Sequence, residues 1–336
     1  MGRYVGSRLL QFPVLLLVVS ALVFVVLRLG PGSPVDLATE SSRDPEQIQR
    51  IRHEWGLDQP LYVQYARYLA GLLQGDFGRS FFSNTPVAGV IVERFPATLE
   101  LAFLSMVLGG LLGMAMGILA GVREHTFVDT LARALALTGI SLPTFWLGLM
   151  GIGLFAVKLA WLPVGGRFDA RLPLETVTHF YVLDGLLTGN PWASLAALRH
   201  LVMPATVLGL FIAGFIARIT RAAVLEAMRQ EYVRTARAKG LRERAVVVRH
   251  GVRNAMLPIV TIMGLQFGNL LGGAAVIETV FAYPGLGKLM VDAIYVHDFP
   301  QVQASVLLLA VTYVAVNLVV DVLYVFIDPR IGYARG

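Results

Sequence analysis

Few residues in this chain stand at spacings that perform chemistry. His53-Glu54 opens a metalloprotease-like pattern, but Trp55, Gly56 and Leu57 follow where a second histidine would be needed. Two imidazoles gripping zinc from one helix face are therefore missing. Gly285-Leu286-Gly287-Lys288 has the ending of a phosphate loop. However, position 282 is Ala where the earlier glycine belongs, and Leu289 stands where a Ser or Thr would hold Mg²⁺. There is no Gly-x-Ser-x-Gly, and cysteine is absent, which removes the nucleophile elbow, disulfides and thiolate metal sites. These absences point away from an enzyme and from any metal centre. If ATP drives the protein, another subunit binds it.

Composition explains what the chain does with its length. Of 336 residues, 56% are hydrophobic and 15% charged, against roughly 25% charged in soluble domains. The apolar excess needs a solvent other than water, and a bilayer supplies it. A crossing takes about 20 apolar residues. Residues 9–29, 97–122, 135–159, 201–219, 255–281 and 304–327 meet that length, so six transmembrane helices are expected. The first follows Arg3 and Arg8 and so invites comparison with a signal peptide. Its apolar run is too long for one, no small-x-small cleavage site follows it, and Gly30-Pro31-Gly32 with Pro34 ends the helix.

Two crossings carry glycines four residues apart: Gly109, Gly113, Gly117 and Gly121 in one, Gly264, Gly268 and Gly272 in the other. Such a face lets a neighbouring helix approach closely. Pro143 interrupts the third crossing and frees a backbone carbonyl, which is tolerated against protein or water. Between the crossings, 35–94 mixes Arg43, Arg50, Arg52, Arg67, Arg79 and Arg94 with a slight acidic excess. Pro45 sits at a helix start there, and Tyr62 to Leu73 shows helical periodicity. Residues 123–133 read as a polar turn, and 161–200 and 283–303 as outer loops with Trp161 and Trp192 at interface positions.

Orientation follows from Lys and Arg counts. Residues 218–253 hold Arg218, Arg221, Arg229, Arg234, Arg237, Lys239, Arg242, Arg244, Arg249 and Arg253 against Glu226, Glu231 and Glu243. That loop is expected in the cytoplasm. Six crossings then put both termini there, in agreement with Arg3, Arg8, Arg330 and Arg335. Concentration of the net charge of +6 in this loop suits membrane topology rather than nucleic-acid binding. Within it, Leu225, Met228, Tyr232, Val233 and Ala236 fall at helical spacing opposite basic residues, and Gly240 is a natural terminator. Such a helix fits either anionic lipid or a soluble partner.

The run Glu231-Tyr232-Val233-Arg234-Thr235-Ala236-Arg237-Ala238-Lys239-Gly240-Leu241, followed by Arg249-His250 and Arg253-Asn254-Ala255-Met256-Leu257-Pro258, resembles the cytoplasmic coupling loop of ABC importer permeases. The similarity is to the branch that imports dipeptides, oligopeptides and nickel, and to its first permease subunit. Gly56-Leu57-Asp58-Gln59-Pro60, Gly75-Asp76-Phe77-Gly78-Arg79-Ser80, Glu278-Thr279-Val280-Phe281, Pro284-Gly285-Leu286-Gly287 and Asp328-Pro329-Arg330 extend it over nearly the whole chain. Two departures stand out. Arg234-Thr235-Ala236 replaces the broad motif's Glu-Ala-Ala, and 18 positions separate Gly240 from Pro258 rather than about a dozen.

The resemblance implies an all-α, type I ABC importer permease fold in a bacterial or archaeal inner membrane. Residues 1–30 form an N-terminal transmembrane helix, 31–96 an extracytoplasmic helical segment, 97–327 a five-helix core containing the 218–253 loop, and 328–336 a tail. It implies a second permease, two cytoplasmic ATPases that bind ATP and Mg²⁺, and an extracytoplasmic substrate-binding protein; Trp55 to Ser80 is a candidate surface for the last. Lipid is the remaining partner, and this chain itself takes no cofactor. Glu231, Tyr232, Thr235, Ala236, Ala238, Lys239, Gly240 and Leu241 are the implied ATPase-coupling residues. Polar groups within crossings are costly and so become pathway candidates: Gln266, Asn269, Glu278 and Asn317, with Glu100 and Asp321 beside them. Asp321 is expected to pair with an arginine of the basic loop. An ion-coupled secondary transporter, or a permease for nickel or another non-peptide cargo, is the alternative; the first calls for a buried carboxylate pair and an internal repeat, and neither is legible.

Overall fold

The computed structural model describes residues 2–30, 35, 45–169 and 171–327. The rest of the 31–44 stretch and the 328–336 tail, with Asp328-Pro329-Arg330 and Arg335, lie outside the described residues. So do the side chains of Arg3, Arg8 and Asp321. The chain is helical: α1 Gly2–Leu29, α2 Pro45–Glu54, α3 Leu61–Leu73, α4 Val87–Val122, α5 Phe127–Ser141, α6 Thr144–Gly151 with a π-helical extension Ile152–Lys158, and α7 Tyr181–Leu187. Then follow α8 Pro191–Met228, α9 Glu231–Ala238, α10 Glu243–Val246 with a π-helical turn Val247–Val252, α11 Arg253–Val280, α12 Leu286–Tyr295 and α13 Phe299–Ile327. Among the described residues, five helices are long and apolar enough to cross a bilayer, and α5 with α6 forms a sixth, broken one.

Two compact units organise these helices: Met1–Thr98 with Pro284–Val314, and Leu99–Tyr283 with Ala315–Gly336. In the first, α1 meets α3 through aromatic rings. Phe24 packs edge-on to Tyr65 at 5.0 Å, and the Arg28 guanidinium lies 3.6 Å over the Phe24 ring while its Nε donates to Gln64 at 2.7 Å. Trp55 stacks on Phe81 at 4.4 Å. Ser80 donates to the buried Asp298, fixing the 76–86 loop to the start of α13. Val87 and Ile91 of α4 bury against Leu286 and Ala304. The expected helix at Pro45 and the periodic 62–73 stretch both form, while α12 and the first turn of α13 occupy what was expected to be loop.

The second unit is built on α8. Ideal Cβ atoms on Gly113, Gly117 and Gly121 would stand 2.7, 2.7 and 3.1 Å from the carbonyl oxygens of Ala213, Ala217 and Arg221. Gly109 meets the Gly209 carbonyl in the same way. Each partner lies one hundred positions on, so α4 and α8 run parallel in one unbroken register. Side chains are absent from α4 along this line because two helix backbones occupy the space.

The residues between these helices run the other way. Asp129 meets Arg221, Gly139 lies at Leu210, Gly151 at Met203, and Trp161 at Arg199. The α5–α6 segment therefore travels the length of α8 antiparallel to it, as one crossing rather than a re-entrant loop. It is not straight. Leu142 and Pro143 adopt extended angles, with ψ of 130 and 129, and α5 and α6 diverge by 97°. Proline excludes helical geometry from the residue before it and lacks the N–H that would continue α5. α5 also begins at Phe127, inside the expected polar turn, because Thr126 caps it through the Asp129 N–H.

The second glycine series behaves differently. A Cβ on Gly264 would collide with Val320 of α13, whereas one on Gly272 would meet nothing within 4 Å. Among the described residues Gly272 thus makes no close contact. Gly113→Ala and Gly117→Ala are each expected to cost about 1–3 kcal/mol by overpacking. Thermal unfolding of the detergent-solubilised protein should show both drops and none for Gly272→Ala.

Candidate functional site

The basic loop is not one helix. α8 ends at Met228, Gln230 turns extended (ψ 150), and α9 starts at Glu231. Neither glycine nor proline stands at this break. Burial accounts for it: Val233 and Ala236, 0% and 5% exposed, pack with Val246 and Met228 into a small apolar cluster. A continued α8 would have carried those side chains round the helix without that partner. Glu231 in the first turn and Arg237 in the last suit the helix dipole. Gly240 closes the helix with φ +76, which only glycine adopts without strain. The 18-position gap to Pro258 holds α10 and its π-helical turn, and these supply Val246, the floor beneath α9.

Ion pairs brace the platform. Arg237 forks onto Glu243 at 2.6 and 3.1 Å, joining the end of α9 to α10. Arg234 pairs with Glu231 at 2.8 Å, and Arg229 with Glu124 at 2.8 Å. Deeper in, Asp129 is fully buried and takes a bidentate Arg221 at 2.6 and 2.8 Å, with Arg133 at 3.3 Å. Charge-assisted pairs of this geometry fix helix positions. Arg221 and Arg229 were counted only as topology signals, and nothing in the sequence gave their partners.

Of the implied coupling residues, Glu231, Tyr232, Thr235, Ala238, Lys239, Gly240 and Leu241 are exposed on one surface, while Ala236 faces the cluster below. Ala236 packs against Val233 and Val246 and seats the helix on its own chain.

The pathway candidates separate. Gln266 and Asn269, one turn apart on α11, line a cavity of about 330 Å³ with Ser141, Pro143 and Thr144 at the α5–α6 bend and Phe211 of α8. Glu278 lies outside it. It is buried beside Tyr283, whose N–H donates to its carbonyl at 2.7 Å. Asn317 is half-buried on α13 and does not line the cavity either. Glu100 is held by Arg167 at 2.8 Å, both nearly inaccessible, and accepts from the Val182 N–H at 3.0 Å. Arg167 stacks 3.8 Å over Tyr181. Arg167 is the member that sequence reasoning missed, because its partner is 67 positions away. Removing either partner would leave a buried charge alone, costing about 3–5 kcal/mol. Among the described residues no group of three or more His, Asp or Glu side chains is placed to hold a metal ion.

Ala236→Glu is expected to lower the unfolding temperature and the folded yield, since a carboxylate would enter the Val233–Val246 cluster. Ala238→Glu, two positions past Ala236 on the exposed side, should leave both unchanged in the same thermal assay.

Residues 113–333 match the family described as binding-protein-dependent transport system inner membrane component, and residues 1–102 its N-terminal membrane-component family. The chain is 44% identical over 318 residues to a di/tripeptide transport system permease of Pseudomonas aeruginosa, covering 94% of this chain and 95% of that one. It is 44% identical over 333 residues to a glutathione transport system permease of Salmonella paratyphi A, covering 99% and 100%. It is 45% identical over 319 residues to a probable D,D-dipeptide transport system permease of Escherichia coli, covering 95% and 94%. The inward-facing MetNI methionine ABC transporter shares the fold, with TM-score 0.54 at 20% identity, over 71% of this chain and 96% of that one. The chain therefore belongs to the binding-protein-dependent transport system inner membrane components, a family of transport permeases.

Proposed function

We propose that the chain is one of two permeases in an ATP-driven importer of dipeptides or other short peptides. In this reading it forms half of the translocation pathway and receives ATPase motion through α9. The observation that carries the proposal is the construction of α9: an underside buried on its own chain and an outer face free to meet another protein. A helix built to lie on lipid would turn its apolar side outward, whereas Val233 and Ala236 turn inward. The relatives named above supply the cargo class, since glutathione and D,D-dipeptides are both short peptides.

Topology follows from the basic loop. With 218–253 in the cytoplasm, six crossings put both termini on the same side, and the 31–96 segment faces outward to meet a substrate-binding protein. Two ATPases, holding ATP and Mg²⁺, engage this chain at Glu231, Tyr232, Thr235, Ala238, Lys239, Gly240 and Leu241, and engage a second permease in the equivalent place. Gln266 and Asn269 at the Pro143 bend face the pathway: an amide pair beside a bend can exchange hydrogen bonds with a peptide backbone without trapping its charge. Glu278 and Asn317 do not line that cavity. The setting is the inner membrane of a bacterium or archaeon. Ion coupling is the less favoured reading, because Glu100 is neutralised by Arg167 rather than paired with a second carboxylate.

Vesicles reconstituted with the assembled transporter and its binding protein test the proposal. Labelled dipeptide uptake should require ATP and proceed without an ion gradient. Lys239→Glu should cut uptake at least tenfold while leaving the unfolding temperature unchanged. Uptake driven by a proton gradient in the absence of ATP, or wild-type uptake by the variant, would contradict it.

A further inference from the structure

We propose that the chain binds one anionic phospholipid in a slot between α4, α5 and α8. The slot has a volume of about 240 Å³ and is walled by small residues, among them Gly117, Ala120, Ala132, Ala136, Gly214 and Ala217. Arg133, Arg218 and Arg221 also line it, and the register of the helices puts them toward the α8 C-terminal end. Apart from these arginines the walls offer methylene-sized apolar space and no side-chain hydrogen-bonding groups. A polar solute would gain nothing there, while an acyl chain would replace water on every side. Leu119, Leu131, Leu135 and Leu137 stand exposed on the same helices, which places the opening at the level of lipid.

Charge decides the headgroup. Asp129 is the acidic partner at this end; it is taken by Arg221 at 2.6 Å and approached by Arg133 at 3.3 Å. Glu124, the other nearby carboxylate, is committed to Arg229 at 2.8 Å. Arg218 is exposed and has no carboxylate partner among the described residues, only the Phe215 ring at 5.8 Å. One carboxylate thus serves two guanidiniums, and the third, Arg218, is left without one. Arginines at the membrane boundary reach toward phosphate while their stems stay on apolar wall. A zwitterionic lipid would fill the slot but bring its own neutralising cation. A free anion would meet Arg218 and leave the slot unfilled. An anionic phospholipid satisfies both halves.

Native mass spectrometry of the full-length protein, equilibrated in detergent with phosphatidylglycerol or phosphatidylcholine, tests this. Phosphatidylglycerol should be retained at least tenfold over phosphatidylcholine, and inorganic phosphate should not displace it. Arg218→Gln, at an exposed position, should remove that preference without changing the unfolding temperature. Ala136→Phe should block the slot and lose the lipid with all charges intact. Equal retention of the two lipids, unchanged retention by Arg218→Gln, or displacement by inorganic phosphate would overturn the proposal. So would cross-linking of Arg218→Cys to a second permease in the assembled transporter, since this face would then belong to a protein interface.

Discussion

Backbone-to-backbone contact between α4 and α8 is the constraint on which the larger unit depends. Four glycines at four-residue spacing meet carbonyls at one fixed offset from Gly109 to Gly121. In a bilayer, lipid competes with protein for apolar side chains, so helices associate through close packing rather than hydrophobic exclusion. The seam supplies that packing and fixes α8, and α8 in turn gives the surface on which α5, α6 and α11 lie. Asp129 and Arg221 then lock α5 to α8 at the end of the seam, beside Gly121. Beyond them α8 ends and α9 begins.

Under the proposed function, that arrangement explains how the chain takes part in an energy-driven process. A stiff seam transmits displacement without absorbing it, because packed interfaces move as bodies rather than deform. α9 is seated on the same body through Val233, Ala236 and Val246 and braced by Arg237 and Glu243. The place where the chain bends is Pro143, and the Gln266–Asn269 cavity opens there. Under the proposed function, a push on α9 would be felt at the bend through α8. The lipid slot lies along that route, between the seam and α5.

Much of this was legible in the sequence, for identifiable reasons. Apolar length gave the crossings, since a bilayer sets a fixed minimum. Glycine spacing predicted the α4 face, proline the break at 143, and Gly240 the end of α9, because each restricts backbone geometry locally. What escaped detection depends on partners distant in sequence. The turn at Arg229–Gln230 is set by a cluster that includes Val246, and Arg167 is buried by Glu100. Gly272 carries the same spacing signal as Gly264, yet among the described residues Gly264 has a helix against it and Gly272 does not. Periodicity names a face without naming what covers it. The helices α7 and α12 were hidden in expected loops because they are short and lie among turn-forming residues.

The natural absence of cysteine makes single-site cross-linking direct. Ala238→Cys on the outer face of α9 and Trp192→Cys at the start of α8 can each carry a maleimide–photoreactive linker in the assembled transporter. Illumination should join position 238 to an ATPase subunit and leave position 192 unlinked to it. Linkage from 192, or none from 238, would contradict energy transfer through α9.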